Sequence, residues 1–423
     1  MEKIILLNII SEGFRIKFLG INFDIFYILY VVLYIYMILL GIYQHKLKKN
    51  YIFYMFLLFL TVIQSKNSNI VILCLKQLIP IIIILEVNNF FISKKDILKV
   101  YNLYIKYALF CSIIGIIQFC GMKLNIEFLY NYDKFIPNFK VTQGINGFRI
   151  NSIFSEPAAL VEILTPLLYI SIRNLLFREK NFINKKTSLL VLTTIFFTDS
   201  SLGILSIFFT IIILLKEKIK FNLTNVLKIT MSVLLLAILT KSIYLNSQNF
   251  KMRVDDTLKS VNASKLNPDK VNLSTYALLT NLNIMKLSLI ENKALGIGIG
   301  AYQTAYDKHI SKVAEKSENY GLVILNREDG NSMLIRLLTE IGVFGVSIIF
   351  IIFYKNLVKL NRMTSFNDTE YKLYIVNRSI VILFILKFLR SGNYLVNGFL
   401  IFVTIYYLSF KKFQEESLRY KNK

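Results

Sequence analysis

The chain has little of what metal sites and disulfide frameworks are built from. Only two histidines occur, His45 and His309, so a zinc site made of imidazole ligands lacks its material. His309 reads as a surface residue. The three cysteines, Cys74, Cys111 and Cys120, fall in apolar stretches and read as small buried hydrophobes rather than bridge partners or thiolates. The longer polar segments carry no paired aspartates at metal-ligand spacing and no Walker motif. GIGIG at 296–300 is not a dinucleotide fingerprint, because the spacing is wrong and no βαβ unit surrounds it. The run IILLNII at 4–10 is followed by no small-residue cleavage site, and reads as a short first span or interfacial helix. No internal repeat is visible and the two halves differ in loop layout, which argues against an inverted-repeat transporter.

What the chain has in abundance is hydrocarbon. Of its 423 residues 55% are hydrophobic, with a mean hydropathy of +0.54, more than a soluble domain carries. The excess is strung in blocks such as FDIFYILYVVLYIYMILLGIY at 23–43, and roughly 20 such residues in a helix cross a bilayer. Lys and Arg outnumber Asp and Glu by 50 to 26, a formal charge of +24. The bases cluster in short loops, HKLKKN at 45–50, SKKDILK at 93–99, RNLLFREKNFINKK at 173–186, KEKIK at 216–220, KNLVKLNR at 355–362 and the tail from KKF at 411. That is the positive-inside pattern of a membrane protein, not a nucleic-acid surface.

The expected fold is an all-α polytopic integral membrane protein with about 11–12 transmembrane helices. After the first short segment, spans are expected near 22–43, 51–65, 70–88, 100–120, 152–172, 188–199, 201–215, 225–245, 332–354, 373–389 and 395–410. The basic clusters then share the cytoplasmic side. The resulting division is N-terminal transmembrane helices (1–120), an outer loop (121–150), central helices (151–245), a large outer loop (246–331), C-terminal helices (332–410) and a basic cytoplasmic tail (411–423). Loops as long as 246–331 are usually functional or disordered. Here TYALLTNLNIMKLSLIENK at 275–293 is helical in pattern.

The candidate chemistry lies on the outer side. In GFRINSIFSEPAALVEILTPLL at 147–168, Arg149 precedes a span whose start reads as Ser155 at the N-cap and Pro157 in the first turn. This is either an ordinary helix start, with Glu156 favouring the positive end of the dipole, or a helix N-terminus that with Arg149 makes an anion site suited to phosphate. Glu156 reads as cap, salt-bridge partner or base. Arg253, followed by Asp255 and Asp256, is either a solvated cluster or a second guanidinium able to hold a diphosphate. In LNREDGNSMLIRLLTEIGVFG at 325–345, Asp329 and Asn331 stand at the entry of a span, with Asn331 or Ser332 as its cap. Arg336 and Glu340, four residues apart, share a helix face inside the membrane and form either an ion pair or a cavity lining. Glu156, Asp329, Asp255 and Asp256 are the candidate bases, and the residues do not choose among them.

FRINSIFSEPAAL (148–160), FFTDSSLGILSIF (196–208), ALGIGIGAYQTAY (294–306) and DGNSMLIRLLTEIGVFG (329–345), in this order and with a large outer loop before the last three spans, resemble the O-antigen polymerase (Wzy) and O-antigen ligase superfamily of bacterial membrane glycosyltransferases. The resemblance covers most of the chain. It implies a GT-C-like enzyme of the cytoplasmic (inner) membrane, with its active site on the outer face and no cofactor or obligatory metal. The reaction implied is transfer of a growing glycan from undecaprenyl diphosphate to the sugar hydroxyl of a lipid-linked repeat unit, in O-antigen, capsule or exopolysaccharide synthesis. Donor and acceptor oligosaccharides on undecaprenyl diphosphate, the bilayer, a chain-length regulator and a flippase are the implied partners. Arg149 and Glu156 match the family's R-x(n)-F-x-E-P pattern, and Arg253 the arginine after the span before the large loop. Asp329 and Asn331 fall where ligases carry a histidine, and its absence favours the polymerase. Ser200-Ser201-Leu202 departs from the family, which often shows an arginine after its serine. The alternatives are a ligase-type glycan transferase and a lipid-linked oligosaccharide flippase.

Overall fold

The computed structural model describes residues 2–11, 15–18, 21–40, 68–137, 139–144, 147–177, 179, 182–218, 241, 244–245, 248–261, 263, 265–359 and 367–421. The expected span at 51–65 and most of that at 225–245 lie outside the described residues. Helix dominates. Long helices run over Ile25–Leu39, Ser68–Ser93, Ile97–Lys123, Pro157–Phe177, Lys185–Phe197, Ser201–Lys218, Met333–Lys355, Asp368–Arg390 and Phe399–Lys421. Among the described residues, Ile70–Ser93, Ile97–Lys123, Pro157–Phe177 and Met333–Lys355 are long and apolar enough to cross a bilayer, and they make the chain a helical membrane protein. The outward faces agree, since Phe344 is 63% and Ile351 53% exposed. Two small antiparallel pairs depart from the all-α expectation, Arg15–Phe18 with Ile21–Asp24 and Thr142–Gly144 with Gly147–Arg149.

Local sequence explains where the helices begin. Asp96, Asn184, Asn272 and Ser332 each accept a hydrogen bond from a backbone N–H in the first turn, and Asn367 with Glu370 closes a capping box. Pro157 is the first residue of its helix, and the Glu156 carbonyl accepts from Ala159 and Leu160 N–H. Glu156, not Ser155, therefore holds the cap position. Cys74 and Cys111 are buried as expected, whereas Cys120 lies on an exposed helix face. The first apolar segment is too short to cross a bilayer as a single helix. Its Glu2–Leu7 turn and the Asn8–Ile10 turn bury Ile5, Leu6 and Ile9 in the main core.

The Pro157–Phe177 helix is the axis of the bundle, buried continuously from Ala159 to Asn174, as expected of a helix apolar on every face. Pro166 interrupts its hydrogen-bond ladder. The Tyr104 hydroxyl enters the gap, accepting from Leu167 N–H at 3.2 Å and donating to Ile163 C=O at 2.8 Å. Tyr104→Phe leaves both backbone groups without that partner in a dry core. It should cost about 1–3 kcal/mol, measured as a lower thermal unfolding midpoint of the detergent-solubilised protein.

The helix ends that carry the basic clusters gather at one end of the bundle. A buried network ties them together there. Arg173 donates to Glu179 (2.6 Å), Glu217 (2.8 Å) and the Tyr371 hydroxyl (2.6 Å), while Tyr169 donates to Glu217. This joins Pro157–Phe177, Ser201–Lys218 and Asp368–Arg390 at the ends that adjoin the basic loops. The segment from 248 to 331 packs at the other end as a small helical unit, Gln248–Ser260, Leu273–Glu291 and Tyr302–Val313, with apolar clusters of its own around Ile284, Tyr306 and Leu266.

Candidate functional site

The end of the bundle opposite the basic termini is built from irregular backbone. The helix Met333–Lys355 is broken at Gly342, where φ is 69° and ψ −177°. The break frees carbonyls that GIGIG takes up. Ile297 N–H donates to Thr339 C=O at 3.0 Å, Gly298 N–H to Glu340 C=O at 2.7 Å, and Val343 N–H to Ala294 C=O at 3.0 Å. A Cβ on Gly296 would meet Glu340 O at 2.6 Å, and one on Gly342 would meet Ala294 O at 2.2 Å. The glycine run is thus a backbone patch for a broken helix. Such non-helical backbone at membrane depth is tolerated only when protein covers it or a cavity adjoins it.

Inside this region Arg336 and Glu340 form a buried ion pair, Nε to Oε1 at 2.8 Å, with Glu340 fully buried. The remaining groups of both are used. Arg336 also donates to Gly392 C=O (3.1 Å) and Gln77 Oε1 (3.4 Å), and stacks on the Tyr394 ring at 4.2 Å. Tyr394 donates its hydroxyl to Glu340 Oε2 at 2.7 Å. A second buried pair, Glu162 with Lys387 at 2.6 Å, lies deeper between Pro157–Phe177 and Asp368–Arg390. Lys387 also donates to Ser391 Oγ, and Asn397 Nδ2 donates to Glu162.

The two pairs grip the same object. Residues 391–398 are the non-helical link between Asp368–Arg390 and Phe399–Lys421, and Ser391, Gly392, Tyr394 and Asn397 are its four attachment points. The entry of the Met333–Lys355 helix closes against the same link. Ser332 caps the helix through Ile335 N–H and donates to Phe388 C=O at 2.6 Å. A Cβ on Gly392 would fall 1.6 Å from Asp329 O. Asp329 itself accepts from Asn326 Nδ2 and Asn331 N–H, which holds Asn331 at φ 57°. Asn331 Nδ2, Gln77 Nε2 and Asn397 Oδ1 here are buried with no hydrogen-bond partner, as are other side-chain atoms elsewhere among the described residues, Asn88 Nδ2 and Asn174 Oδ1 included. Buried amide groups without a partner are uncommon and call for a water or a ligand.

The other expected residues fall as follows. Arg149 ends the strand Gly147–Arg149 and donates from Nε to Thr198 C=O at 3.1 Å, in the turn that joins Lys185–Phe197 to Ser201–Lys218. Glu156 is exposed at its helix start. Asp256 accepts from Asn272 N–H at 2.8 Å and Asp255 from the Tyr244 hydroxyl at 2.6 Å, so both serve local structure and neither is simply solvated. The Arg253 backbone belongs to Gln248–Ser260, but its side chain lies outside the described residues. The structure therefore brings together Asp329, Asn331, Arg336 and Glu340, and gives no contact joining them to Arg149, Glu156, Asp255 or Asp256.

Gln77, Glu162, Lys387, Tyr394 and Asn397 were not singled out from sequence. Glu162 in LVEIL and Lys387 in FILKFL carried a usable signal, a lone charge within an apolar run. Gln77, Tyr394 and Asn397 carried none. His309 corrects another expectation. It is 3% exposed, with Nε2 at 3.2 Å from Glu291 Oε2, because the Tyr302–Val313 helix turns that face onto the end of Leu273–Glu291. Burial lowers its pKa below the usual imidazole value, and Lys308 beside Glu291 lowers that carboxyl. Burial likewise pushes the Tyr302 phenol well up. Among the described residues no group of three or more His, Cys, Asp or Glu is placed to hold a metal ion.

Fold and site define a helical membrane protein with one buried polar network at the end near its basic loops and a second, built on the broken helix and the link 391–398, at the other end. Comparison with known proteins finds no matching family model, curated protein or solved structure.

Proposed function

We propose that the chain is a polysaccharide repeat-unit polymerase of the bacterial cytoplasmic membrane, GT-C-like, with about 11–12 spans and its active site on the outer face. The observation that carries this reading is the position of the polar region. The braced link 391–398, the entry at Asp329 and Asn331, and the unpartnered Asn331, Gln77 and Asn397 amides lie at the end opposite the basic loops, and the positive-inside rule assigns those loops to the cytoplasm. Lipid-linked substrates presented on the outer leaflet would meet that end first. The described part of the fold offers no second, matching half, which weighs against a flippase.

In this reading an acceptor sugar hydroxyl attacks the anomeric carbon of the donor glycan, the bond to the lipid diphosphate breaks, and the diphosphate carries the electron pair away. Guanidinium groups prepositioned at the leaving diphosphate stabilise its developing charge. Arg149 and Arg253 are assigned to that task. The proton of the acceptor hydroxyl passes to a carboxylate. Asp329 is the best placed candidate, because it is half-buried beside the unpartnered Asn331 amide, while Glu156 faces outward. Arg336, Glu340 and Asn331 support the site by holding its walls.

The test is a deletion strain complemented with Arg149→Ala or Arg253→Ala. Each variant should insert normally and lower chain growth by about a hundredfold or more, read as loss of the polymer ladder on a gel. Single lipid-linked repeats should accumulate on the outer leaflet. Wild-type ladders from both variants would remove the diphosphate role, and repeats trapped on the cytoplasmic leaflet would favour a flippase.

A further inference from the structure

At the basic end, the last turn of Met333–Lys355 and the residues that follow it form one wall of a cavity, and the Phe399–Lys421 helix forms the other. Tyr354, Lys355 and Lys359 face Phe410, Phe413 and Gln414 across it. Both lysines are exposed, and Lys359 Nζ stands 4.0 Å from the centre of the Tyr354 ring. Among the described residues no carboxylate lines the cavity. The carbonyls at this helix end would repel an anion, but Asn356 covers one of them, its Nδ2 donating to Ile352 C=O at 2.8 Å.

Leading away from the cavity is an exposed apolar stripe, Val343, Phe344, Phe350, Ile351 and Tyr354. The spacing i, i+1, i+7, i+8, i+11 keeps all five on one helix face. From Phe344 to Lys355 the stripe measures about 16 Å at 1.5 Å per residue. That is close to half the roughly 30 Å hydrocarbon thickness of a bilayer, and so to the reach of one acyl chain.

We propose that this cavity holds the headgroup phosphate of an anionic phospholipid between Lys355 and Lys359, with an acyl chain lying along the Phe344–Tyr354 stripe. Two ammonium groups without an acid among them suit a phosphate whose headgroup adds no balancing cation. A zwitterionic lipid brings a cation of its own and leaves the lysines overcharged. Free phosphate matches the lysines but leaves the stripe uncovered. The inference stands apart from the proposed enzymatic reading, because it concerns the opposite end of the molecule and is read by binding alone.

The full-length protein in detergent micelles is titrated with phosphatidylglycerol, phosphatidylcholine or inorganic phosphate, and bound lipid is counted by native mass spectrometry alongside the thermal unfolding midpoint. Phosphatidylglycerol should bind and raise the midpoint, whereas phosphatidylcholine and inorganic phosphate should not. Lys355→Gln with Lys359→Gln should weaken phosphatidylglycerol about tenfold or more and leave the midpoint without lipid unchanged, since both side chains are exposed. The control is Lys185→Gln with Lys186→Gln, an equal charge change on exposed residues at the same end, which should keep the full shift. Equal binding of the two lipids, retention of the shift in the Lys355/Lys359 variant, a shift with phosphate alone, or an equal loss in the control would each overturn the proposal.

Discussion

Glu340→Ala should unfold a large part of the population at temperatures the parent survives. The substitution leaves the Arg336 guanidinium buried with two neutral acceptors, Gly392 C=O and Gln77 Oε1, and strands the Tyr394 hydroxyl. Breaking a buried pair from one side costs about 3–5 kcal/mol, whereas replacing both partners by apolar residues of similar volume is often neutral. Arg336→Met combined with Glu340→Leu should therefore recover most of the loss in a thermal unfolding assay. Activity need not follow stability. If the network positions the link 391–398 for the proposed reaction, the recovered double variant stays inactive. An unfolding midpoint for Glu340→Ala equal to the parent's would contradict the buried pair.

Gly342→Ala is the second large effect. The residue sits in a backbone region open almost only to glycine, and its new Cβ would lie 2.2 Å from the Ala294 carbonyl and 2.5 Å from the Leu295 carbonyl carbon. Neither obstacle is a side chain that can swing away. The chain must either strain, at about 1–3 kcal/mol, or detach residues 294–298 and lose three backbone hydrogen bonds at about 1 kcal/mol each. The expected cost is about 3 kcal/mol, with faster protease cleavage near 294–300. Gly321→Ala is the comparison. There the added carbon meets only the Asn319 side-chain oxygen at 3.1 Å, and the unfolding midpoint should scarcely move.

Much of the fold was legible because a bilayer imposes simple rules. Runs such as 70–88, 100–120, 152–172 and 332–354 had to be helical if they were to cross hydrocarbon, and helices of sufficient length stand at each. Pro157 in a first turn and a cap at Asn331 or Ser332 were likewise visible, since both follow from hydrogen-bond demands within four residues, although the cap before Pro157 was placed one residue early, at Ser155. The i, i+4 pairing of Arg336 with Glu340 was legible for the same reason, as helix geometry alone puts those side chains side by side. GIGIG was visible as an oddity without a reading. Gly296 answers to the break at Gly342, more than 40 residues on in the sequence, and Gly300 to Leu73 and Gln77, more than 200 residues back, and a local pattern cannot reveal partners at those separations. The small helical unit at 248–331 could be foreseen only in patches, because its apolar clusters are shared among three short helices. His309 was misread for a related reason, its neighbour Glu291 lying on another helix.

By itself the sequence determined that this chain carries helices long and apolar enough to cross a bilayer, which loops carry the positive charge, and roughly where the capped helices begin. Those properties depend on composition, period and neighbours a few residues apart. Only the tertiary structure decided that Glu162 meets Lys387, that Tyr394 completes the Arg336–Glu340 pair, and that both pairs hold the link 391–398. A charge in an apolar run announces that it needs a partner. Which partner it finds depends on how the helices pack, and that is set by the whole bundle together.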